Sequence, residues 1–110
     1  MKEMRKTVKG MIREDKNDKY RWFDYEHPAV EKRFAEHMLK GAKKHGSGNW
    51  KKGGYELREW LESAQRHLRQ KLAELEGIEK TTDEDHLASV RFNINGAMFA
   101  EWELQNKKTP

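Results

Sequence analysis

The 110 residues contain no cysteine, which excludes disulfide staples, thiolate zinc ribbons and thiol nucleophiles. No apolar run approaches the roughly 18 residues of a membrane span, and residues 1–16 lack the apolar stretch of a signal peptide. A cytoplasmic protein with no membrane partner is therefore expected. Apolar residues are scarce as well, at 35% against 38% charged. High charge with few apolar residues is the signature of disorder, but four Trp, four Phe and three Tyr and aliphatic residues at helical spacing argue for a fold. The expectation is one domain with a thin core, of the kind that completes itself as a homo-oligomer. The formal charge of +4 and a pI near 9.3 favour an anionic partner without naming one.

Residues 1–19 are charged, net positive and without sustained period, and read as an extended basic arm. Tyr20, Trp22, Phe23 and Tyr25 then crowd four aromatics into six residues, which suggests an extended segment packed across a helical body. The rest is all-α, with three main amphipathic helices at about 28–45, 55–76 and 83–104. Pro28 suits a first helical position; Val30, Phe34 and Met38 repeat at i, i+4, i+8 behind it. Leu57, Leu61, Ala64, Leu68, Leu72 and Leu75 stripe the second helix. Thr81 and Glu84 have capping-box spacing ahead of the third, whose apolar side is Leu87, Val90, Ile94, Ala97 and Met98. The domain is placed at 20–105, with a frayed tail at 106–110.

The connection 40–54 carries five lysines and no acid. Its glycines free backbone N–H groups to form an anion nest while the lysines add charge for a phosphate chain. A solvated helix connection fits the composition equally well. It is not a P-loop, because Ser47 stands where the phosphate-binding lysine belongs. Trp50 beside those lysines is suited to stacking on a base. Trp60 and His67 share one face of the second helix, and His86 and Asn93 one face of the third, continued by Ser89, Gly96 and Ala100. Such small residues either allow close helix packing or leave room for a ligand. Carboxylates gather at 74–85 and at Glu56, Glu59 and Glu62; only convergence in space would make them a metal site.

Taken in order, Arg21-Trp22-Phe23-Asp24, Gly41-Ala42-Lys43-Lys44-His45-Gly46, Asn49-Trp50-Lys51-Lys52-Gly53, Arg66-His67-Leu68, Asp85-His86-Leu87-Ala88 and Phe92-Asn93 resemble the phage-encoded dATP/dGTP diphosphohydrolase N-terminal domain family. The likeness covers about residues 20–103. It implies a helical fold near the all-α NTP pyrophosphatases. The implied reaction is cleavage of a purine deoxynucleoside triphosphate to the monophosphate and pyrophosphate, with Mg²⁺ or Mn²⁺, in a phage-infected host. By position it marks Lys43, Lys44, Asn49, Trp50, Arg66, His67, Asp85, His86 and Asn93. On that reading Lys40, Lys43, Lys44, Asn49, Arg66 and Asn93 bind the nucleotide and its phosphates, and Trp50 or Trp22 stacks on the base. His67, Asp85 and His86 are the catalytic candidates, and Glu59, Glu62, Glu79 and Asp85 the metal candidates.

Two departures from the family pattern leave a second reading open. Glu59 and Glu62 supply the E-x-x-E of all-α NTP pyrophosphatases, but no helical E-x-x-D follows, Glu76 and Glu79 being the nearest substitute. Ser89 stands where many members have a second histidine after His86. An intact phosphate-binding half with an incomplete metal site would suit a sponge, a protein needing no cofactor that sequesters a nucleotide-derived host signal. Nucleic-acid binding is not expected, because the acidic 74–85 segment interrupts any continuous basic face.

Overall fold

A computed structural model of the chain describes residues 4–6, 8–14 and 20–107. Its first helix, α1, runs over Pro28–His45. Its start is set by Pro28 at the first position and by His27, whose Nδ1 accepts from the Ala29 N–H at 3.2 Å. Lys43, Lys44 and His45 occupy its last turn, where positive charge complements the helix dipole. Gly46, at φ 91°, turns the chain out of the helix, a conformation that side-chain-bearing residues rarely adopt. A short 3₁₀ turn at Asn49–Lys52 follows, then α2 over Leu57–Leu75 and α3 over His86–Asn106. The all-α architecture expected from periodicity is present, with each helix within a few residues of its anticipated bounds.

Helices α2 and α3 form an antiparallel pair in which His67 meets His86 and Trp60 meets Gly96. The seam is made of small residues: the buried apolar side chains among the described residues are Ala64, Ala88, Ala97 and Ala100. The large residues of the second-helix stripe stand outside it, with Leu61, Leu68, Leu72 and Leu75 all substantially exposed. On α3, Leu87, Ile94 and Met98 are exposed too, and the buried face is the one carrying His86, Ser89, Asn93 and Gly96. The core is as thin as the composition implies.

Helix α1 buries no residue and is held to α3 largely by polar contacts. Arg33 forks onto both Asp85 oxygens at 2.6 Å. Arg91 donates to Glu31 at 2.8 Å with its guanidinium 4.2 Å from the Phe34 ring centroid. The cap of α3 differs from the expected one. Asp85 accepts from the Ala88 N–H at 3.1 Å, whereas Thr82 Oγ1 takes the Glu84 N–H in a local turn. The helix therefore begins at His86, because Asp85, fixed by Arg33, is the better placed acceptor.

Within the arm, β1 (Met4–Lys6) and β2 (Ile12–Glu14) pair antiparallel, with Arg5 opposite Arg13. The aromatic segment is a 3₁₀ turn at Trp22–Tyr25, and Tyr20, Trp22, Phe23 and Tyr25 are all exposed. The expected extended segment packed across the body is thus corrected: these rings do not bury, and local N–H to C=O bonds from Asp24 to Arg21 and from Glu26 to Phe23 close the turn instead. Residues 1–3, 7 and 15–19 of the arm and 108–110 of the tail lie outside the described residues. No helix among the described residues is long and apolar enough to cross a membrane.

Candidate functional site

The site grows from the α2–α3 seam. Gly96 has no side chain, so the Trp60 ring lies directly against the α3 backbone. Trp60 meets Phe92 edge to face at 5.5 Å and Tyr55 at 5.7 Å. The 3₁₀ turn docks onto the same patch through Trp50, which meets Phe99 at 5.4 Å and Phe92 at 6.4 Å. Above these rings opens a cavity of about 800 Å³, within the range of small-molecule sites.

Three chemistries share its walls. The rings of Trp50, Tyr55, Trp60 and Phe92 give it aromatic surface; His45, Lys52 and Arg66 are its basic or nitrogen-bearing groups; Glu59 and Glu62 are its carboxylates. Asn49 and Asn93 add amides, and Ser63 a hydroxyl. Arg66 Nη2 donates to Ser63 Oγ at 3.1 Å, and Glu62 pairs with Arg58 one turn earlier at 2.7 Å. Asn93 is buried and donates to the Ser89 carbonyl at 2.8 Å, so its amide is oriented by its own helix. A planar base, a phosphate chain and a hard cation each find a complementary surface here.

Of the residues singled out in the sequence, the structure gathers Asn49, Trp50, Glu59, Glu62, Arg66 and Asn93 around this cavity. Trp50 is also the anchor of its loop, so its edge contacts fix the ring in place. Lys40, Lys43 and Lys44 are exposed on α1 and line neither this cavity nor its neighbour. That neighbour, of about 370 Å³, is bounded by His37, Gly41, Gly46, Gly48, Trp50 and Phe92 among others. The glycines of the connection therefore face inward while these lysines stand outside. Trp22 is exposed beside Tyr20 and lines neither cavity. Glu79 shares a separate depression with Glu62, Arg66 and Arg69 on the outer side of α2.

Asp85 is committed elsewhere. Both its oxygens take the Arg33 fork and one also caps α3. The Arg33 hydrogen bonds, reinforced by the Ala88 N–H, bring its carboxyl down to about 2. Such a carboxylate is a poor proton carrier at neutral pH and has little capacity left for a metal. Its role here is to tie α1 to the start of α3.

His67 and His86 do approach each other, with their Nδ1 atoms 3.1 Å apart. Glu84 Oε1 lies 3.6 Å from His67 Nδ1, and Glu74 Oε2 lies 3.5 Å from His86 Nε2. Burial lowers the His67 pKa, partly opposed by Glu84, so its ring is neutral at neutral pH. His37 sits nearby, with Nε2 3.5 Å from Ser89 Oγ. Sequence reasoning missed Lys52, Tyr55 and Trp60 as cavity walls and Glu74 and Glu84 as partners of the histidines. One signal was available. Trp60, His67 and Glu74 step by seven along α2, and His86, Asn93 and Ala100 step by seven along α3, marking two facing seams.

Set against known proteins, the sequence matches the family model described as dATP/dGTP diphosphohydrolase, N-terminal, over residues 9–109. Searches of curated proteins and of solved structures found no match. With nearly its whole length matched, the chain belongs to the dATP/dGTP diphosphohydrolase N-terminal family.

Proposed function

We propose that this chain binds a purine deoxynucleoside triphosphate in the cavity between the 3₁₀ turn, α2 and α3, and hydrolyses it to the monophosphate and pyrophosphate. The observation that carries the reading is the meeting of Glu59, Glu62, Arg66, Asn49 and Trp50 around one space of about 800 Å³. The family description supplies the substrate class.

Arg66 and Lys52 are placed to hold phosphate oxygens, Arg66 by paired N–H groups and Lys52 as a point charge. The aromatic wall holds the base by stacking, and the two asparagines offer hydrogen bonds to sugar or base edges. Lys40, Lys43 and Lys44, outside the cavity, raise the local concentration of anions near it. Glu59 and Glu62, one turn apart on the same wall, fit a Mg²⁺ or Mn²⁺ ion that enters with the substrate, since such ions take one or two carboxylates plus phosphate oxygens. When bound, the ion neutralises charge on the triphosphate. Glu59, free of the Arg58 pair that engages Glu62, orients a water toward the α-phosphorus. The water oxygen bonds to that phosphorus and gives up a proton to Glu59 as the bridging P–O bond to the β-phosphate breaks, and pyrophosphate leaves carrying the electron pair.

The test is a mass-resolved incubation with dATP, dGTP and the other common nucleotides, each with Mg²⁺, with Mn²⁺ and with EDTA. Monophosphate and pyrophosphate appearing only with metal, lost in Glu59→Gln while binding persists, is the expected outcome. Intact nucleotide recovered from denatured protein in every condition would replace hydrolysis by sequestration. No binding at all would remove the cavity as a nucleotide site.

A further inference from the structure

The histidine pair has no part in the reaction just described, yet among the described residues it is the centre of a group of three metal-ligating side chains. His67 comes from α2, Glu84 from the connection and His86 from the first turn of α3. One donor atom from each lies within 4.8 Å of the others. We infer that His67, Glu84 and His86 form a three-ligand site for a borderline divalent transition ion of the Zn²⁺ or Co²⁺ class, with Glu74 as its outer carboxylate.

Distances support it. Two nitrogens on a tetrahedral zinc, at about 2.0–2.1 Å from the metal, stand about 3.3 Å apart, and a nitrogen and an oxygen about 3.4 Å apart. The observed Nδ1 separation is 3.1 Å and the Nδ1-to-carboxylate separation is 3.6 Å. These two separations lie within a few tenths of an ångström of the zinc values. The third, between Glu84 and His86, is no more than 4.8 Å, so the exposed Glu84 side chain is the donor that has to close in.

The outer contacts fit as well. Glu74 faces His86 Nε2 at 3.5 Å, both side chains being only 5% exposed. A carboxylate there holds the ring proton on Nε2 and leaves the Nδ1 lone pair directed at His67, the arrangement by which outer carboxylates orient metal-bound histidines. Glu74 is itself steadied by the Thr82 N–H at 3.3 Å and by Lys71 at 3.9 Å. Two imidazoles select zinc, cobalt or nickel over magnesium.

Such an ion has a physical purpose here. A chain without cysteine, whose buried apolar side chains among the described residues are alanines, gains from a cross-link between its two principal helices. Three protein ligands also leave a position open for water or a phosphate oxygen. The inference does not depend on the nucleotide reading, since its evidence and its test concern the protein and the metal alone.

The experiment uses tag-free protein stripped with EDTA and dialysed free of it. Zn²⁺ is titrated against a chromophoric chelator, Co²⁺ binding is followed by its visible d–d absorption, and melting is recorded with and without Zn²⁺. One equivalent of Zn²⁺ is expected, with intensified Co²⁺ bands of low-coordinate geometry. Tm should rise by on the order of 10 °C at a hundredfold excess over Kd, and excess Mg²⁺ should not reproduce the effect. Glu84→Gln, at a half-exposed position that does not threaten folding, and His67→Asn should each weaken binding at least about tenfold. Glu74→Gln should weaken it about 10–100-fold with stoichiometry unchanged. No Zn²⁺ uptake, or uptake that Glu84→Gln and His67→Asn leave unaltered, overturns the assignment.

Discussion

Replacing Gly96 by alanine adds one methyl group at the closest point of the α2–α3 seam. A Cβ there would stand 2.5 Å from Trp60 Cδ2 and 2.6 Å from Cζ3, and closer still to Cε3. Carbon atoms in favourable contact are about 3.5–4.0 Å apart, so the indole must retreat by about 1 Å. Its freedom to do so is small, because Tyr55 and Phe92 press edge to face on the same ring. The strain falls on the helix spacing. Overpacking of this kind costs about 1–3 kcal/mol, and an aromatic ring wedged against backbone puts the cost at the upper end. Alanine regains about 1 kcal/mol of helix propensity, leaving a net destabilisation of about 1–2 kcal/mol.

Gly41 provides the control. It lies inside α1, and a Cβ there meets nothing within 4 Å, so the same substitution should stabilise by up to about 1 kcal/mol. Urea unfolding followed by far-UV circular dichroism should therefore move the two midpoints in opposite directions from the wild type. Their melting temperatures should separate by roughly 10 °C, at about 4–8 °C per kcal/mol for a domain of this size. A Gly96→Ala protein as stable as the wild type, with an unchanged m-value, would refute the claim that this glycine sets the helix spacing.

Asp85→Asn keeps a side-chain acceptor for the α3 cap but removes the charge facing Arg33. Because the folded-state pKa is lowered to about 2 from 3.8, the charge contributes stability above pH 4 and loses it as pH falls through 2. Measured by urea unfolding in EDTA, the variant should be less stable by about 1–2 kcal/mol at neutral pH, a figure discounted for the half-exposed Arg33. The gap should close toward pH 2, and a constant gap across that range would contradict the pairing. The exposed Leu61, Leu68, Leu72, Leu87, Ile94 and Met98 predict self-association through α2 and α3, the occupant being a second copy of the chain. Light scattering should report a dimer, and Leu68→Glu with Ile94→Glu should give a folded monomer; a wild-type monomer at tens of micromolar would count against it.

Helix positions were legible because periodicity and breakers are local properties. Pro28, Gly46 and the Gly53–Gly54 pair act on the chain where they stand, whatever it packs against. Which face of each helix turns inward is not local. The leucine stripe of α2 is the strongest apolar signal in the sequence, yet its partner is not within this chain's own seam. The facing seam is written by Ala64 on α2 and by Ala88, Gly96, Ala97 and Ala100 on α3, residues whose value is their smallness. Asn49, Trp50, Arg66 and Asn93 were found through the family pattern, and Glu59 and Glu62 through E-x-x-E spacing. Lys43 and Lys44 came from the family pattern together with the charge of the connection, and Lys40 from charge, and neither says which side of a helix a lysine leaves from.

The seam poses the question that a stability argument cannot answer. This chain is short of apolar residues, yet it leaves leucines exposed and buries His86, Ser89 and Asn93 together on one helix face. Burying polar groups costs free energy unless each is satisfied. Here they are: no buried side-chain nitrogen or oxygen among the described residues lacks a partner. Satisfying them took Glu74, His67 and His37 from two other helices, at positions where leucine or alanine would have served a core better. Where local choices run against packing and are nonetheless fully compensated, function is the usual cause. The chemistry should accordingly be sought along the α2–α3 seam, from Glu74 and the histidines at one end, past Arg66, to Trp60 and Trp50 at the other. The lysine-rich connection, from which the sequence-level argument for phosphate binding began, is its approach.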